Sequence, residues 1–350
     1  MPSLLNIPPE LRECIIQHVL CSHQMPPETP SNANRVDFED MDIIWRESPY
    51  GIYHEQRGTH SPSNCISLLL TNRQLSAETR SVINRMRSTT TYVLDISVLN
   101  ELELFPTWVS VPHITNRVSK LYVDVRFFGH ILSEKVARYQ YNDEDVLGYH
   151  WSFYGLLARF LRYGPVDEKK KMSGRQNSSS KKPTTFHDYD VTVNLLVLNF
   201  KSAETELSFP PDTVTYQTWR SHHFTPIESR DISPASIDLE KYTTRPEWFS
   251  TFLFHEIKSF LSMSYLGSFY GRILYERIGA IRILVNENLE HEFDLSSMLA
   301  SLRFTGPWET FGHIENEDRL SAFWNWKRQT LMRRDQLGFP VVRAEDLELA

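Results

Sequence analysis

Few residues of this chain have the types and spacing that chemistry requires. Cys14, His18 and Cys21 recur at i, i+4 and i+7 with His23 close by, a spacing that puts soft ligands on one side of a helix, as a zinc site needs. A second Cys pair to complete such a site is absent, and its face is the one the surrounding apolar residues need for packing. His54-Glu55 with His60 has the wrong spacing to bring two imidazoles to one helical face. His222-His223 lie in a polar, Pro-containing stretch with Glu228, Asp231 and Asp238, the raw material of a metal or acid/base pair without diagnostic spacing. His187-Asp188-Tyr189-Asp190 precedes an apolar run and is placed to present ligands at a sheet edge. No GxxxxGK[ST] loop, GxGxxG turn, GxSxG elbow or HExxH helix occurs. The expectation is a chain with no catalytic residues, cofactor or metal of its own; the distant alternative is an enzyme with its site near His222 and His223.

The elements that would position any site begin with Leu4 to Leu20, LLNIPPELRECIIQHVL. Leu11, Ile15, Ile16, Val19 and Leu20 fall on one side of a helix, and Pro8 and Pro9 suit its first turn, where a missing N–H costs nothing. A second helix is expected over Ser67–Met86, with Leu68, Leu75, Val82, Ile83 and Met86 near one face. Cys21 to Asn64 between them is rich in Pro, Asn, Ser and Asp; its apolar knot Val36–Trp45 reads as a loop pinned to the domain by Trp45. From Thr89 the texture is that of strands: Thr91–Val98, Val118–Phe127, Val191–Phe200 and Ile278–Val285, the last two continuous enough to suggest burial on both faces. Helical stretches at Asp145–Tyr163 and from Pro246 to about Arg277 lie between them, the pattern of parallel crossovers. Asn316 to Gln336 reads as a terminal helix with Leu320, Phe323, Trp324 and Leu331 toward one side, stopped by Gly338 and Pro340. Lys327, Arg328, Arg333 and Arg334 suit that helix's own dipole.

The expected class is thus α+β or α/β: N-terminal helices packed on a mixed or partly parallel sheet with flanking helices. The divisions are a helical region at 1–88 with its insert at 21–64, a sheet domain at 89–315, and a capping helix and tail at 316–350. Within the sheet domain, 164–185 carries Lys169-Lys170-Lys171, Arg175 and Lys181-Lys182 among serines, a composition for a flexible basic linker, an import signal or a contact for an acidic partner.

With 350 residues, 41% of them hydrophobic, the chain is long enough for a real core. A formal charge of -7 argues against nucleic-acid binding through overall charge. Three cysteines are too few for a disulfide scaffold, which suggests a reducing compartment, and no apolar run is long enough to span a membrane. A soluble protein of the cytoplasm or nucleus is expected.

Ile7-Pro8-x-Glu10-Leu11-Arg12 with Ile15-Ile16 and Val19-Leu20, followed by Leu68-Leu69-Leu70-Thr71-Asn72-Arg73-Gln74-Leu75-Ser76-Ala77-Glu78, resembles the two halves of the motif of ascomycete (fungal) F-box-like proteins. The likeness covers Met1 to about Met86. Here the insert is much longer than the usual loop, and Asn72 stands where the family has Cys. The resemblance implies a helix pair that docks on the Skp-type adaptor of a cullin ubiquitin ligase, while the downstream domain selects an unknown protein client. The docking residues it implies are Ile7, Pro8, Leu11, Ile15, Ile16, Leu20, Leu69 and Leu75. The other reading is an interaction or structural protein in which the same residues are internal core.

Overall fold

In a computed structural model, residues 4–30, 35–37, 51–55, 63–101, 103–129, 150–165, 191–203, 208–219, 242–263, 267–304 and 316–342 are described. The chain opens with a 3-10 turn, Leu4–Asn6, and helix α1, Pro9–Leu20, with Pro9 in the first turn as its missing N–H allows. The expected single helix over 67–86 is two: α2, Cys65–Thr71, and α3, Arg73–Met86. Asn72 breaks them by adopting an extended backbone, and its Oδ1 accepts the Leu75 N–H at 2.9 Å as the N-cap of α3. The apolar period runs through the break, which is why periodicity did not reveal it.

The main sheet has six strands in the order β4-β3-β5-β6-β7-β8. They are β3 (Thr91–Leu99), β4 (Glu103–Ser110), β5 (Arg117–Phe128), β6 (Thr192–Lys201), β7 (Ile278–Val285) and β8 (Asn288–Phe293). β3, β5, β6 and β7 are the four expected strands, and they pair in parallel. β4 and β8 fold back antiparallel at the two edges, so the sheet is mixed and the class is α+β. The insert contributes two short strands, β1 (Arg35–Asp37) and β2 (Tyr53–Glu55), which pair antiparallel. It is thus more than a loop. Ile52 bridges Leu104 of β4 and is fully buried in the main core; the expected anchor Trp45 lies outside the described residues.

The parallel strands advance in one direction across the sheet in chain order, so right-handed crossovers place their helices on the same face. Those helices are α4 (His150–Tyr163), α5 (Pro246–Leu261) and α6 (Gly267–Arg277). The stretch expected as one helix from Pro246 is divided after Met263, whose φ is 59°. α5 and α6 then cross so closely that a Cβ on Gly271 would collide with the carbonyl oxygen of Phe260. Alternate residues of each strand meet these helices: Phe160 packs on Tyr92 and Trp108, Phe249 on Phe127, and Phe254 on Phe293.

Helix α7 (Leu295–Ser301) is capped by Asp294, whose carboxylate accepts from the N–H groups of Ser296 and Ser297. Helix α8 (Asn316–Leu337) ends at Gly338 with φ 75°. Its inward face differs from the expected one. Phe323, Trp326, Lys327, Thr330 and Arg334 are buried, whereas Leu320 and Trp324 are exposed. The two cations do not serve their own helix's dipole. Lys327 donates to the carbonyls of Ala300 and Leu302 at the end of α7, and Arg334 to those of Tyr275, Ile278 and Gly279 where α6 runs into β7. Burial pushes the Arg334 guanidinium down to about 10.

Candidate functional site

The helical region has its own small core. Ile16 and Leu20 of α1, Cys65 of α2, and Leu75 and Val82 of α3 form a buried cluster separate from that of the sheet, flanked by Leu4, Leu68, Leu69, Ile83 and Met86. The inward face of α1 is Arg12, Ile16 and Leu20, spaced by four, and it begins with a buried charge. Arg12 reaches Glu78 of α3 through Nε and Nη2, at 2.7 Å each, while Nη1 donates to the carbonyls of Leu5 and Ile7. One side chain thereby joins α3, α1 and the turn before it. The Glu78 hydrogen bond raises the Arg12 pKa, and Arg12 in return holds the Glu78 carboxyl below its usual range. Glu78 thereby ties α3 to α1.

The outward face of α1 is the adjacent row, Leu11, Ile15 and Val19, exposed by 57%, 39% and 38%. Pro8 is exposed as well, Ile7 half-buried. α2 adds Ile66 at 43% and Leu70 at 80% exposure, with Leu69 half-buried. Of the expected docking residues, Leu11, Ile15 and Pro8 are at the surface, Ile7 and Leu69 are partly accessible, and Ile16, Leu20 and Leu75 are inside. A five-residue apolar face on a 12-residue helix is wide enough to serve both sides, so periodicity alone could not divide it. Cys14 and Cys21 are free and exposed. His222, His223, Glu228, Asp231, Asp238, His60, His187–Asp190 and the two Lys clusters lie outside the described residues. Among the described residues, no group of three or more His, Cys, Asp or Glu side chains is placed to hold a metal, and no helix is long and apolar enough to cross a membrane.

The second constellation is on the sheet face opposite the helices, and sequence reading missed it. The registers β3–β5, β5–β6 and β6–β7 bring Asp95, Asp124, Asn199 and Leu284 into one row, and Ser97, Arg126 and Lys201 into the next. At the β3 end, Arg126 grips the buried Asp95 with Nε at 2.6 Å and Nη2 at 2.8 Å; Nη2 also reaches Ser97 Oγ and the carbonyl of Pro27. The insert therefore crosses this part of the face. It is held there further by Arg35, which donates to the Pro106 carbonyl and to Thr107 Oγ1, and by Tyr53 stacked on Phe105.

At the β7 end the polar groups gather around the turn between β7 and β8. Glu287 accepts from the Tyr122 hydroxyl at 2.5 Å and from Lys201 Nζ at 2.9 Å, and Lys201 also meets Asp124 at 3.0 Å. The fully buried Asn199 donates to Asp124 and Glu287, while its Oδ1 accepts the Glu287 N–H. The Tyr122 hydrogen bond, with help from Lys201, holds Glu287 below the ordinary carboxylate range. Burial opposes the charge on Lys201, but the hydrogen bonds to Glu287 and Asp124 outweigh it and its pKa is raised. Burial and the Glu287 contact push the Tyr122 hydroxyl well up, so it stays protonated. Tyr122 and Lys201 are thereby held in their protonated forms. The sequence signal for this face was the alternation Lys120, Tyr122, Asp124, Arg126 along β5; its partners Asn199, Lys201 and Glu287 are joined only by the sheet.

Comparison of the chain with family models, curated proteins and solved structures gives no match to any of them.

Proposed function

We propose that this chain is a non-catalytic F-box-like adaptor, in which the α1–α3 unit docks on the Skp-type adaptor of a cullin ubiquitin ligase and the sheet domain holds a protein client. The observation that carries the reading is the row Leu11, Ile15 and Val19 on the surface of a unit that already has its own core. An apolar row left outside a completed core is the kind of surface a partner covers. The docking face narrows to Ile7, Pro8, Leu11, Ile15 and Val19, with Leu69, Ile66 and Leu70 of α2 as further candidates. Transfer of ubiquitin is then accelerated by proximity, without a reacting group from this chain. The setting for this role is the cytoplasm or nucleus.

A second reading, an interaction protein without a ligase, draws on the burial of Ile16, Leu20 and Leu75. Co-purification separates the two. Under the adaptor reading, the full chain captures a Skp-type adaptor; Leu11→Asp and Ile15→Asp abolish capture while the thermal unfolding midpoint stays unchanged, because both side chains are exposed. Absence of capture by the wild-type chain overturns it.

A further inference from the structure

Strand β8 is the last strand of its sheet, and among the described residues nothing pairs with the side of it that faces away from β7. Its sequence, NLEHEF, is turned largely to solvent: Asn288, Leu289, Glu290 and Glu292 are exposed, Leu289 by 55%. The register shifts here, with Ile283 opposite His291 and Leu284 opposite Leu289, so Glu290 is the extra residue of a bulge and has no opposite number on β7. Glu292 pairs with Arg282 at 2.8 Å, both side chains being a little under half exposed. Such a pair is weak enough for an incoming cation to share it.

The opposite edge of this sheet already accepts backbone from another segment, through an isolated bridge. There the Leu104 N–H donates to the carbonyl of Gly51, and Ile52 bridges Leu104 in parallel, both from the insert. We propose that β8 is a binding edge for an extended segment of another protein, one that carries an aliphatic residue flanked by lysine or arginine and adds as a further strand. Backbone pairing supplies most of the affinity, Leu289 offers the aliphatic contact, and Glu290 with Glu292 selects the basic flanks. A second copy of the chain is disfavoured as the occupant, since β8 against β8 would set glutamates against glutamates. The proposal goes beyond the adaptor reading by naming the class of client segment, and its test needs no ligase component, so the two fail separately.

The test uses the full chain and a fluorescein-labelled ten-residue peptide of alternating Lys and Val, read by anisotropy. The expected result is saturable binding that weakens with salt. Glu290→Lys, at a solvent-exposed bulge, should weaken it by roughly tenfold with the unfolding midpoint unchanged. Amide exchange across Asn288–Phe293 should slow when the peptide is bound. A peptide with Pro at its two central positions, which cannot complete the ladder, and one with Glu in place of Lys should both bind poorly. Equal binding of either control, an unaltered affinity for Glu290→Lys, or unchanged exchange in β8 overturns the proposal.

Discussion

The two edges of the sheet are each entered through an Asn-Glu pair and differ in what lies against them. Each is a hairpin whose turn opens with an Asn-Glu pair of positive φ: Asn100 and Glu101 at 53° and 56°, Asn286 and Glu287 at 46° and 69°. Between Val285 and its partner Asn288 the pair is a whole two-residue turn, which requires left-handed backbone at both positions, whereas Leu99 pairs with Glu103 and three residues lie between them; Asn is suited to the first position in each. Each Asn N–H also donates to the end of the neighbouring parallel strand, Asn100 to the Phe128 carbonyl and Asn286 to that of Phe200. There the likeness stops. Glu101 is buried and β4 beyond it is bridged by the insert, whereas the Glu287 side chain is 61% exposed and no strand among the described residues pairs with the outer side of β8. The same residue pair thus gives a buried acid on one side and a surface acid on the other, because burial is decided by what packs against the edge and not by the local backbone.

The largest effect that sharpens this contrast is at Ile52 and its counterpart Leu289. Ile52→Ala should destabilise the chain by about 2 to 5 kcal/mol through loss of a core side chain, and Leu289→Ala by no more than about 0.5 kcal/mol, both measured by chemical denaturation. Equal costs would erase the distinction between a covered and a bare edge. Next comes the comparison of cations. Arg126→Met leaves the buried Asp95 without its partner and should cost roughly 3 kcal/mol, whereas Lys201→Met, whose partners Asp124 and Glu287 are both more exposed than Asp95, should cost about 1 kcal/mol or less.

The smallest effect is one of pH. Glu287 has a folded pKa below its unfolded value, so its contribution is fully present above the usual 4.5 and is lost as pH falls through the lower, folded value. The wild-type stability should therefore fall slightly more steeply on acidification than that of Glu287→Gln. Glu78 has the same sign, and Glu78→Gln should likewise flatten the acid limb, there through the α1–α3 contact.

Much of the central architecture was legible before the fold was known. The strands β3, β5, β6 and β7 announced themselves by β-branched and apolar runs, and the long connections between them by helical period. The edge strands did not: β4 contains Pro106 and β8 carries Glu290 and Glu292, since a strand paired on one side only is free to carry both. The expectation that the continuous apolar runs are buried on both faces holds for much of β6, while on β7 Arg282 is exposed on the second face. On the second face of β6, Val197 and Asn199 are buried beside half-buried Leu195 and Lys201, and among the described residues the helices that join the main core pack on the first face.

By itself, the sequence determined the parallel core of the sheet, the Pro-set start of α1 and the Gly stop of α8, because propensity, period and capping act over a few residues. Only the tertiary structure decided that Ile16 and Leu20 go inside while Leu11, Ile15 and Val19 remain outside, and that Arg334 serves the carbonyls of another helix. It also decided that Tyr122, Asn199, Lys201 and Glu287 share a face. These outcomes depend on which surfaces meet across the fold, as with Tyr122 and Glu287, 165 residues apart in the chain, and no local pattern carries that information.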